Sequence, residues 1–182
     1  TIRRRLVSLR RFGLMLAADL GLTGPLLHCR FPFVPLPRTE PADVQDLAGL
    51  VASMETEEDW VSLRDRAMVT LVSSRGLSAG ELQALNRKHV IGSLLVVTGA
   101  RGGQRFVILP ADAGDALRRY TASIPNHVSG DEPLWLNKDG GRVSARSIQL
   151  MLRSRRIAAE LPQNVVLGAF RKRHILELAA SG

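Results

Sequence analysis

A chain of 182 residues with 45% hydrophobic content is long enough to bury a core of its own. No apolar run approaches the ~18 residues of a membrane span, the basic start "TIRRRLVSLRR" lacks a signal-peptide cleavage site, and a single cysteine, Cys29, excludes an internal disulfide. Twenty-five basic residues, 22 of them Arg, against 17 acidic ones give a net charge of +8, which favours a polyanionic partner over an anionic membrane surface.

In chain order, residues 2–20 read as a helix with Leu6, Leu9, Phe12 and Leu16 on one apolar stripe. "GLTGPLLHCRFPFVPLPRTEP" follows, and its prolines predict an extended linker and a domain boundary. From Ala42 the spacing of Val44, Leu47, Leu50, Val51 and Met54 predicts a helix. "LRDRAMVTLVSS" predicts a second one that is apolar on most sides, and "ELQALNRKHV" a third. In "SSRGLSAGELQAL" Gly76 permits a turn. Ser78 and Glu81 then form an S-x-x-E capping box, with the cap worth about 1 kcal/mol. The period then changes: "SLLVVTG" and "QRFVILP" predict a hairpin closed by "GARGG". Helices return at "ADAGDALRRYTASI", at "SARSIQLMLRSRRIAAE" behind a Ser144 cap, and at "LGAFRKRHILELAA", with "PLWL" a short extended piece between the first two.

The positive charge is clustered. Residues 1–11 hold five Arg and no acid, and residues 142–174 hold eight basic residues against Glu160 alone. The guanidinium is a planar fork matched to phosphate oxygens. Arg146 and Arg153 lie seven residues apart, on one helical face, and are expected to reach a phosphate backbone. Arg101 at the hairpin tip, Arg105 on its strand, Arg75, Arg171, Lys172 and Arg173 complete the candidate contact set, with a merely solvated basic face as the alternative. His28, His89, His127 and His174 show no ligand spacing, so neither a metal nor a cofactor is expected. With 4% aromatic residues, base-stacking single-strand binding is not expected. Cys29 reads as a small apolar residue, and the setting expected is the reducing cytoplasm, in association with the nucleoid.

The order of elements and several stretches together resemble the tyrosine recombinase/phage integrase family, in particular its Xer-type members. "RDRAMVTLVSSRGLSAGELQAL" resembles the family's first box, "VVTGARGGQRFVILP" its strand pair, "PLWLNKDGGRVSARSIQLMLRS" the segment that follows, and "LGAFRKRHILELAASG" its second box. The resemblance implies a mainly α fold with a small antiparallel β-hairpin or sheet. It places the last helix of a core-binding, SAM-like domain at 1–24, a Pro-rich linker at 25–41 and the recombinase/integrase-like catalytic domain at 42–182, cut before the nucleophile segment.

In that family a Tyr attacks the scissile phosphate of DNA, two Arg hold its non-bridging oxygens, a hairpin Lys protonates the leaving oxygen, and His residues assist. Charge grows on the phosphate oxygens in the transition state, which is why this set is cationic. Laid on the family pattern, the first Arg slot is Ser78, the Lys slot is Ala100 and the His slot is Gly168. Arg171 alone keeps its family residue. Tyr120 stands where the family often has a non-catalytic aromatic. Loss of several members of a set that acts as a unit removes essentially all its chemistry.

The resemblance therefore implies a duplex-DNA-binding protein unable to cleave, monomeric in this chain, which regulates or competes with a related active recombinase. Two other readings stay open: a genuine site-specific recombinase seen as an incomplete chain, with Arg75 and Arg101 as displaced catalytic groups, and an interaction module for an acidic partner protein.

Overall fold

The computed structural model describes residues 40–100, 102–124 and 131–181, together with positions 12, 15 and 19. The chain divides into two compact units, Thr1–Arg38 and Thr39–Gly182, and the second holds the described residues from 40 onward. The expected helix over 2–20, the linker over 25–41 and Arg101 fall wholly or largely outside the described residues.

The second unit is mainly helical with one small antiparallel sheet. Helix α1 spans Val44–Ala52 and starts on the side chain of Asp43, which accepts from the Gln45 amide. Helix α2, Trp60–Arg75, is capped by Asp59, which accepts from the amides of Val61 and Ser62. Its Leu63, Ala67, Met68, Val69, Leu71 and Val72 are all buried, because the helix lies at the centre of the unit with others around it. It stops at Gly76, whose φ of 61° is a left-handed conformation that a side chain disfavours.

Helix α3 is short, Ala79–Ala84, and begins with the capping box expected from the sequence. The helix predicted over "ELQALNRKHV" ends at Ala84, and a 3-10 turn over Arg87–His89 replaces its second half. Leu85 takes an extended backbone there, and its carbonyl and Asn86 are engaged by Arg142.

Strands β1 (Val90–Ile91), β2 (Leu94–Thr98) and β3 (Gln104–Ile108) form an antiparallel sheet in the order β1-β2-β3. The hairpin of β2 and β3 was legible in the sequence; the two-residue strand β1 was too short to register as a pattern. Pairing sets Leu95 opposite Val107 and Val97 opposite Arg105. Side chains alternate along a strand, so Arg105 lies on the face of buried Val107, while Phe106 and Ile108 face outward and are exposed.

Helices α4 (Ala111–Ser123), α5 (Ala145–Ala158) and α6 (Leu167–Ser181) complete the unit. Helix α5 begins on Ser144, as the sequence predicts, with the Ser147 amide donating to its hydroxyl at 3.0 Å. The core runs from Leu50 and Met54 through α2 to Tyr120, Trp135, Ile148 and Phe170. Tyr120 is fully buried. Its ring stacks on Trp135 at 5.4 Å between centroids, and its hydroxyl donates to the Leu134 carbonyl and accepts from the Leu136 amide, each at 3.1 Å.

Candidate nucleic-acid interface

The turn between α2 and α3 is the centre of the site. At its far side the Glu81 side chain, 5% exposed, reaches back to the Ser78 amide at 2.8 Å and the Ser78 hydroxyl at 2.7 Å. The same carboxylate receives Arg105 from β3 on one oxygen and Arg171 from α6, at 3.2 Å, on the other. Three elements distant in sequence thus meet on one acid. Burial pushes the Glu81 carboxyl up, but hydrogen bonds from Arg105 and from the Ser78 amide and hydroxyl outweigh it and bring its pKa down to about 2. Both arginine side chains remain more than two-fifths exposed. A guanidinium has five N–H donors, so each keeps donors free after binding Glu81.

His174 lies one helical turn beyond Arg171. Its ring packs against the α2–α3 turn: a Cβ built on Gly76 would stand 3.0 Å from the His174 Cδ2. Close approach and positive φ therefore both require glycine at position 76. Burial, then the positive charge of Arg75 and to a lesser degree that of Arg105, hold the His174 pKa below its ordinary value, against an opposing pull from Glu177. Sequence reasoning passed over His174 and the second role of Glu81. For His174 the signal was available, since it follows Arg171 at i+3. For Glu81 only the cap was visible, because its arginine partners lie 24 and 90 residues away.

The other candidate residues divide by what holds them. Arg75 donates through Nε to the Ile108 carbonyl at 2.7 Å, so it ties α2 to the end of β3. Arg173 donates to the Ala42 carbonyl at 3.0 Å and to Glu177 at 2.7 Å, and Lys172 stands 3.9 Å from Glu40. The last two serve α6 and its surroundings. Arg155 is enclosed by Glu57 at 2.6 Å, Asp65 at 3.2 Å and the Ser62 hydroxyl, which joins α5 to α2. Asp65 is itself held by Arg64, whose other end donates to the Leu136 carbonyl at 2.7 Å.

Arg146 and Arg153 are different. Both are exposed, and among the described residues neither forms an ion pair or a side-chain hydrogen bond. Buried Ile148 and Leu152 fix the inner face of α5, so these two arginines and Gln149 are presented outward. The α5 start is in turn fixed to α3, because the Ala145 amide donates to the Gln83 side chain at 3.1 Å. Arg153, Arg156, Gln149 and Gln163 share a cleft of about 530 Å³ with Gly168, the position where the resemblance expects a histidine. Ala100 is exposed in the hairpin turn. No group of three or more potential metal ligands, and no helix long and apolar enough to cross a membrane, occurs among the described residues.

No protein-family model matches the chain. Individual proteins do. Over 99% of its length the chain is 34% identical to the tyrosine recombinase XerC of Methylobacterium sp. (strain 4-46), covering 59% of that protein. It is 30% identical over its full length to the XerC of Bradyrhizobium diazoefficiens, covering 60%. The chain therefore spans about three-fifths of the length of these curated relatives. Among solved structures, the fold matches XerA recombinase with a TM-score of 0.67 at 19% identity, over 95% of this chain and 61% of that one. It matches the Tn1549 transposon integrase, in complex with a circular intermediate DNA, with a TM-score of 0.73 at 14% identity, over 100% and 67%. A lambda integrase dimer bound to a core site gives 0.66 at 15% identity, over 93% and 60%. By sequence along nearly its whole length and by its fold, the chain belongs to the tyrosine recombinase/integrase family.

Proposed function

We propose that this chain binds duplex DNA through arginine–phosphate contacts and does not itself cleave a strand. The observation that carries the reading is the Glu81 cluster. Where the family pattern has an arginine, Ser78 caps a helix, and the one retained family residue, Arg171, shares the Glu81 carboxylate with Arg105. Two guanidiniums with free donors can hold phosphate oxygens. The protein supplies no proton donor at Ala100, no side chain at Gly168, and a lone tyrosine whose hydroxyl is locked in the core. Arg146 and Arg153 extend the cationic surface along α5. The Tn1549 integrase, which shares the fold, is in complex with DNA, and this supports the choice of polyanion. The expected location is the cytoplasm, on the nucleoid, with a related active recombinase as a partner or competitor at the same duplex.

A second reading, a strand-transferring recombinase whose nucleophile lies outside these 182 residues, is favoured by the three-fifths coverage of the XerC relatives. A nicked suicide duplex tests both. Incubated with the longest natural chain carrying these residues, it should yield a complex that dissociates in detergent. An adduct that survives detergent would overturn the non-cleaving reading and establish the second.

A further inference from the structure

We propose that His174 is the proton-binding member of the Arg105–Arg171 phosphate site, so that engagement of a DNA phosphate takes up a proton. The inference rests on the phosphate-binding reading above and adds a linkage that reading does not contain. His174 lies one turn from Arg171 on α6 and is lodged against the Gly76 turn, and neither ring nitrogen has a hydrogen-bond partner among the described residues.

The charges around it are unbalanced. Arg75 faces it from α2, Arg105 from β3, and Arg171 and Glu177 belong to its own helix. Glu177 is engaged by Arg173, and Glu81 by both Arg105 and Arg171. Arg105 and Arg171 thus share one carboxylate, Arg75 pairs with none among the described residues, and the positive charges of Arg75 and Arg105 disfavour a proton on the imidazole. A phosphate diester held by Arg105 and Arg171 brings a negative charge into this cluster. That reverses the field on His174 and favours the imidazolium, which then donates to the same anion. Binding and protonation are linked reciprocally: whatever raises the proton affinity of His174 in the complex raises DNA affinity at low pH by the same factor.

Burial and the flanking arginines disfavour the imidazolium in the free protein and a bound phosphate favours it, so affinity rises as pH falls from 7.5 to 5.5. Fluorescence anisotropy with a labelled duplex at fixed ionic strength, from pH 5.5 to 8, reads it out. The wild type should gain about tenfold and His174→Gln should lose most of that gain. His174→Lys, charged throughout, should bind at pH 7.5 much as the wild type does at pH 5.5. Circular dichroism melts confirm that each variant is folded at the pH used. Comparison with His174→Gln also removes the contribution of His89, whose Nδ1 is occupied by the Asn86 amide, and of the remaining histidines. Parallel pH profiles for wild type and His174→Gln, or a flat wild-type profile, would overturn the proton linkage while leaving phosphate binding in place. Absence of salt-sensitive binding at every pH would overturn the phosphate reading and this inference together.

Discussion

Glu81 takes four donors: the Ser78 amide, the Ser78 hydroxyl, Arg105 and Arg171. A buried carboxylate is costly unless its charge is compensated, and here one residue closes a helix start and compensates two cations. Its carboxyl titrates near 2 in the fold and near 4.5 in the unfolded chain. A depressed acid stabilises fully above the unfolded value, and that contribution disappears as pH falls through the folded one. Between pH 5 and pH 3 the wild type should therefore lose about 2 kcal/mol through this residue alone. Urea denaturation at the two pH values should show the loss, and Glu81→Gln should be less acid-sensitive by that amount. Equal acid sensitivity in both proteins would show that the carboxylate is not the group being titrated.

Helix α5 shows how one element divides its arginines between structure and surface. Arg155 turns inward to Glu57, Asp65 and Ser62, and its removal would leave Asp65, a buried residue of α2, with Arg64 as its only cation among the described residues. Breaking such a network costs much more than losing an exposed charge. Arg155→Ala should lower stability by about 2–3 kcal/mol, while Arg153→Ala, two residues earlier, should stay within about 0.5 kcal/mol of wild type. Chemical denaturation monitored by circular dichroism compares them; equal effects would contradict the division. The sequence could state only that the arginines of α5 point to more than one side. Which of them met acids depended on Glu57 and Asp65, nearly a hundred residues away.

Across the whole molecule, the features legible in the sequence are those that arise from local chemistry. The Ser78–Glu81 box, the Ser144 cap and the β2–β3 hairpin each depend on neighbours a few residues apart, and each is present. The destinations of long side chains were not legible. Arg75 ends on a strand carbonyl, Arg173 on the carbonyl of Ala42, and Arg105 joins Arg171 on Glu81, all through contacts made by tertiary packing. Arg146 and Arg153 are left unpaired by that packing among the described residues, and under the proposed reading they add to the Arg105–Arg171 pair as phosphate contacts. Their counterion release on a duplex is the most direct measure of phosphate binding. Binding constants for a labelled duplex should fall linearly on a logarithmic plot between roughly 50 and 200 mM salt. In the Arg146→Ala/Arg153→Ala double variant the slope should be shallower by about 2, with weaker binding to every duplex sequence tested. An affinity that does not change with salt, or an unchanged slope in the double variant, would contradict phosphate binding by this face.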